Sequence, residues 1–404
     1  MGRRSFGALS SQTLTQTHPA MQTPAFRAGF AFTAFLILAT GCAKPANTGE
    51  AGYDPAADSL RFAGEHHLRN IRQLTFGGNN AEAYWSPDGK QLTFQSDFAG
   101  LTSQGCDQIF VMNADGTALP SGATHGLVST GTGRTTCSYF LPNGRVLFAS
   151  THASGVECPQ APMFEAGRYV WAVYAEYDIY SANPDGSDVQ PLITGPGYDA
   201  EATVSPDGRY VLFTSTRNGD LDLYRYDLQT AEVLQLTNTL GYDGGAFFSP
   251  DSKKIVWRAD RPEGEAAQVY TDLLAKNFVE PSALNIWVAD VDGSNPTRVT
   301  NLPGANWAPF FTPDATGILF ASNHHMMDQG GRQFAIFLVN LDGTGLTQIT
   351  HSGTFEAFPM FSPDGTQLVF ASNRNVSRTE SRDTNIFVAE WVEQPTEVDL
   401  AFGQ

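Results

Sequence analysis

The feature that most restricts this chain's fold is a turn written six times: SPDG at Ser86, LPNG at Leu141, SPDG at Ser205, SPDS at Ser249, TPDA at Thr312 and SPDG at Ser362. Proline sets the backbone angle for the second position of a type I turn, serine caps the first, and Asp and Gly suit the last two. An alternating run follows each turn, as in Leu92/Phe94, Val146/Phe148, Val211/Phe213, Ile255/Trp257, Ile318/Phe320 and Leu368/Phe370. Period two with one apolar face predicts a half-buried strand, so each copy is a hairpin. The turn prolines recur at spacings of 55, 64, 44, 63 and 50 residues, the pattern of stacked supersecondary units with variable insertions.

A second repeat follows the first. Downstream of each run lies an aromatic-rich strand such as "QIFVMNADG", "NIWVADVDG" or "NIFVAEWVE", often ending in the hairpin dipeptide Asp-Gly. A short strand ending in Thr or Ser ("QLT" at 73–75, "LVS" at 127–129, "QIT" at 348–350) then leads into the next unit. Four strands per repeat, six repeats and almost no helical periodicity predict an all-β fold, a six-bladed β-propeller over roughly residues 68–394. The first such strand, near Ile71–Thr75, has no inner strands before it, and the last repeat lacks an outer strand. The N-terminal strand is therefore expected to complete the sixth blade and remove the exposed edges. The tail at 395–404, with "EVDLAF" at 397–402, competes for the same slot.

The first 67 residues read differently. Arg27, an apolar run from Gly29 to Thr40 and small residues ending at Cys42 form a secretory signal, too short to span a bilayer, with Met21 as an alternative start. Its ending "LATGC" resembles the lipobox of bacterial lipoproteins, although Ala39 stands where Leu is usual. Cleavage would remove residues 1–41 and acylate Cys42, and residues 42–67, polar and aperiodic, would then act as a flexible tether. Lys and Arg total 24 against 42 Asp and Glu, a formal charge of −18 that excludes a nucleic-acid partner.

Strand direction sorts the loops onto two rims. The SPDG and Asp-Gly turns share one and are short in nearly every repeat; the long insertions at 97–107, 151–178, 258–284 and 323–333 collect on the other, with helical character from Ala266 to about Phe278. Long loops on a rigid scaffold are where binding usually resides. Counting back six residues from each turn gives Asn80, Thr135, Asp199, Asp243, Asn306 and Glu356, and counting back four gives Glu82 and Glu201 among others. Asn80, Glu82, Asp199, Glu201, Asp243, Asn306 and Glu356 thus form the candidate binding rim at the channel mouth. His152, Arg217, Arg261, His324 and Arg374 follow the second strands in register. Either the acids bind a cation or a basic peptide, or acid and arginine satisfy one another within the ring.

No cofactor is required by the sequence. A divalent metal is the alternative, held by His324, His325 and Asp328 near His152, at spacings that are not ligand-specific. Cys106, Cys137 and Cys158 all map to the elaborated rim, as one disulfide with a spare thiol or as three small buried residues. The chain carries no G-x-S-x-G, H-E-x-x-H, C-x-x-C or phosphate-cradling glycine loop.

The repeat "FSPDG-x-x-LVFASNR … NIFVA-x-W" closely resembles the WD40-like repeats of TolB-type propellers over about 320 of the 404 residues. That resemblance implies a six-bladed propeller exported across the inner membrane that docks other envelope proteins. Two departures set this chain apart: no α/β domain is expected before the propeller, and Cys42 makes it a lipoprotein itself. The expected function is a lipid-anchored, noncatalytic docking platform for a protein or peptide, held at the outer membrane and facing the periplasm; the alternative is a metal-assisted lyase or hydrolase acting on a glycan at the channel mouth, as in propellers resembling oligogalacturonate lyase.

Overall fold

The computed structural model describes residues 53–54, 57–102, 105–160, 162–375 and 383–403. The signal and Cys42 lie outside them. Six four-stranded antiparallel sheets are arranged as blades. Their innermost strands are Asn80–Trp85, Thr135–Phe140, Asp199–Val204, Asp243–Phe248, Asn306–Phe311 and Glu356–Phe361 for blades 1 to 6, each touching its neighbours and the last touching the first. The ring closes through the N-terminal strand: Leu68–Gln73 pairs antiparallel with Asn385–Trp391, Leu68 opposite Trp391 and Gln73 opposite Phe387, as the fourth strand of blade 6.

The repeated turn has one hydrogen-bond scheme. The hydroxyls of Ser86, Ser205, Ser249, Thr312 and Ser362 each donate to the Asp two residues on at 2.6–2.7 Å, and their oxygens accept a backbone N–H from across the turn. Leu141 has no hydroxyl, and there Asn143 Oδ1 accepts the N–H of Arg145 instead. The alternation predicts strands buried on one face, but the second strands are buried on both: Leu92, Thr93 and Phe94 are all inaccessible. Each blade is stacked between two others, so the polar positions of the period-two pattern also leave solvent.

The described segments that flank the propeller both pack on blade 6. Residues 57–67, expected as part of the tether, are held against the ring, with Leu60, Arg61 and Glu65 buried. The tail forms no strand. It forms a short helix, Glu397–Ala401, whose Asp399 accepts hydrogen bonds from Arg69 Nε at 2.8 Å and Arg61 Nη2 at 3.3 Å. Burial alone would raise the Asp399 carboxyl; hydrogen bonds from Arg69 and Thr396 bring it down to about 2. Among the described residues no helix is long and apolar enough to cross a membrane.

Candidate functional site

The six residues found by counting back from the turns do begin the innermost strands, and all six are buried. In blade 3, Arg217 Nη2 donates to both oxygens of Asp199 at 2.9 Å. In blade 4, Asp243 Oδ1 accepts from Arg261 Nη2 at 2.7 Å and from Trp257 Nε1 at 2.6 Å. In blade 6, Arg374 Nε donates to Glu356 Oε1 at 2.9 Å. The uncharged members bond to backbone: Asn80 to the Thr384 carbonyl at 3.0 Å, Asn306 to Leu284 at 2.9 Å and Thr135 to Asp107 at 2.9 Å. Acid and arginine therefore pair, with the acids buried, Arg217 and Arg261 partly exposed and Arg374 buried. Burial still pushes the Asp243 carboxyl up to about 7 against the pull of Arg261.

The residues found by counting back four form a second ring. Glu82, Cys137, Glu201, Gly245, Ala308 and Phe358 all have φ between 43° and 58°, because each innermost strand carries a bulge there. A left-handed residue at the bulge turns its side chain toward the axis. These six line a cavity of about 30 Å³ with Arg258. Glu201 accepts from Tyr242 Oη and Thr214 Oγ1 at 2.6 Å, from Gly245 N at 2.9 Å, and from Arg258. Glu82 has no such set: its Oε2 is buried without a partner among the described residues, and burial, with the Glu201 charge adding, raises its carboxyl to about 7 against the pull of a hydrogen bond from Cys137.

The candidate metal ligands do not converge. His152 and His324 occupy the same register position in blades 2 and 5, on opposite sides of the ring, with Nδ1 at 2.9 Å from Ser150 Oγ and 2.8 Å from Ser322 Oγ. His325 lies against Phe337, and Asp328 belongs to the 3₁₀ turn His324–Gln329. Among the described residues no three His, Cys, Asp or Glu side chains gather as a metal site would need. Cys106 and Cys158 form a disulfide between the blade 1 and blade 2 insertions, leaving Cys137 as a free thiol.

Two insertions meet over blade 3. Trp171–Ala172, from blade 2, pairs with Phe278–Val279, from blade 4. This bridge sets Trp171 edge-on to Tyr242 and Trp307, with the Arg258 guanidinium 5.5 Å from its ring, and so roofs the axial cavity. Beyond the roof, helix α1 (Glu265–Leu274) stands off the side of blade 4 and encloses a cleft of about 630 Å³. Its walls carry Tyr270 and Trp287, the cations Arg168, Arg261 and Arg298, and the acids Asp260, Glu263, Glu265 and Glu280. Arg168 donates to Glu280 at 2.8 Å, Arg261 lies 5.1 Å over the Trp287 ring, and Arg298 is exposed. A cleft of this size, open on one side and lined by aromatic surface with charges of both signs, suits a peptide or a small polar ligand.

Sequence reasoning located Arg261 but missed Arg258, Trp171, Trp287 and Arg298. Arg258 had a signal: it stands at an inward position of "KIVWRA" where blades 5 and 6 have Ala321 and Ala371.

The fold and rim define a six-bladed β-propeller elaborated on one face. Residues 277–379, within the last blades of the ring, match the TolB beta propeller domain. Among solved structures, TolB from Acinetobacter baumannii is 19% identical, aligning 69% of this chain and 56% of its own, with a TM-score of 0.47. This chain thus spans little more than half of that protein's length. A putative TolB from Agrobacterium tumefaciens is 18% identical over 80% of this chain and 97% of its own, with a TM-score of 0.47. A gluconolactonase from Xanthomonas campestris is 13% identical over 84% and 94%, with a TM-score of 0.50. These likenesses concern the fold. A search of curated proteins finds no match.

Proposed function

We propose that this protein is an exported, lipid-anchored propeller that docks a protein or peptide, without catalysis, in the cleft beside blade 4. The observation that carries the reading is the cleft itself, built on a rigid ring by the longest insertions, which collect on one rim. The opposite rim holds tight turns apart from one longer connection, residues 114–125 of blade 1. Export and anchoring through Cys42 rest on the signal and its lipobox-like ending, and the Cys106–Cys158 disulfide fits an oxidising compartment.

The test fills the cleft without removing a native contact. Ala266 and Ser282 line it and are exposed, so Ala266→Trp and Ser282→Trp should occupy it while leaving thermal unfolding unchanged. Capture of partners from envelope extract should fall with both variants. Undiminished capture by both would overturn the reading.

A further inference from the structure

The blade 6 rim already holds a ligand-like group, supplied by this chain. Glu65, from the segment ahead of the first strand, lies against Arg374: Nη1 donates to Oε2 at 3.0 Å and Nη2 to Oε1 at 2.7 Å. Arg374 also donates to Glu356 and to the Leu60 carbonyl at 3.2 Å, so its guanidinium is fully engaged. Phe62, three residues before Glu65, presents its ring 5.4 Å from the guanidinium and donates its N–H to Glu65 Oε2 at 2.9 Å. A short acidic turn is thus gripped by a rim arginine whose far side is held by a buried strand-start acid.

Blade 4 repeats the receptor. Arg261 stands two residues beyond its second strand, as Arg374 does, pairs with the strand-start acid Asp243, and stacks on a strand aromatic, Trp287 as against Phe370. The difference is what lies outside. Arg374 is inaccessible beneath Glu65, whereas the Arg261 side chain is 25% exposed. Its Nη atoms donate to Asp243 and to the Asp260 carbonyl at 2.5 Å, and its Nε has no partner among the described residues. It also faces the 630 Å³ cleft.

We propose that Arg261 receives a carboxylate of an acidic peptide bound in the blade 4 cleft, as Arg374 receives Glu65. The inference rests on the docking reading above and names the chemistry of its ligand. Planar, two-point recognition of carboxylate is what a guanidinium does and an ammonium does not.

The experiment uses the full chain and a labelled peptide copying Ser59–His67, followed by fluorescence anisotropy. A second peptide carries Gln in place of the glutamate. The acidic peptide should bind the wild type roughly tenfold more tightly than the Gln peptide, the scale of one charge-assisted hydrogen-bonded contact. Arg261→Lys keeps a cation opposite Asp243, so the protein stays folded, and it should erase the difference between the peptides. Ala266→Trp should weaken both. Equal binding of the two peptides to the wild type, or a preference that survives Arg261→Lys, would overturn the carboxylate assignment while leaving docking in place. Binding of neither peptide would overturn it too, and the docking reading would then stand or fall on envelope capture alone.

Discussion

Glu65 and Arg374 lie 309 positions apart and meet in a two-point ion pair with no solvent access on either side chain. Arg374 serves Glu356 at the same time, so one cation lies between two buried carboxylates. The pair fastens the N-terminal segment to the last blade, beside the strand that closes the ring.

The triad is unequal, and its members should differ in stability. Glu65→Gln leaves Arg374 and Glu356 as a balanced pair and should cost about 1.5–3 kcal/mol, the value of charge-assisted hydrogen bonds. Arg374→Met strands two carboxylates in the interior and should cost about 3–5 kcal/mol. Urea unfolding of both variants checks the order. Equal losses would mean that the guanidinium is not shared.

The disulfide supports blades 1 and 2. It closes a loop across a sequence separation of 52 residues, for which chain entropy gives about 4 kcal/mol. A Cys106→Ser/Cys158→Ser protein should unfold at a clearly lower temperature. In the oxidised wild type, one thiol, Cys137, should react with a thiol reagent, and only after denaturation. Three reactive thiols would contradict the pairing.

The axial cavity should be visible as a pH dependence. Burial holds the Glu82 carboxyl at about 7 in the folded protein against an ordinary value of 4.5, so between those values the folded state binds the proton and the unfolded state does not. Stability therefore falls as pH rises from about 4.5 to about 7, and this group adds no further change above that. Glu82→Gln removes the ionisable group. The variant should be more stable than the wild type by on the order of 1–3 kcal/mol near pH 8, and the gain should vanish near pH 4. A gain independent of pH would show that the charge is not the cause.

Anchoring rests on Cys42, outside the described residues. Cys42→Ser should yield either an uncleaved precursor or a soluble protein. A variant that fractionates with membranes and migrates like the parent would exclude lipidation.

Much of this fold is legible in the sequence because it is local and repeated. A turn whose hydroxyl, proline and carboxylate act within five residues leaves its signature each time, and counting from it places Asp199, Asp243 and Glu356 at their strand starts and Arg217, Arg261 and Arg374 opposite them. What escaped is non-local. The Trp171–Val279 bridge joins two insertions by two residues from each, too short for any periodicity. Glu65 sits in an aperiodic stretch whose order comes from Arg374, a partner at the other end of the chain. Counting from the turn places Glu82 and Glu201 on the innermost strands, but not the bulge there: its left-handed backbone is imposed by packing round the axis and not by residue preference, since only Gly245 among the six favours it.

The docking face is tested most directly in intact cells by a photo-crosslinking amino acid placed at one position on each rim. Glu263, exposed at the edge of the blade 4 cleft, is the test position, and Asp342, in a tight turn of the opposite rim, is the control. Irradiation should give a discrete adduct from position 263, lost when Ala266→Trp fills the cleft, and none from position 342. An adduct from position 342 alone, or one from 263 unaffected by Ala266→Trp, would contradict docking in the cleft.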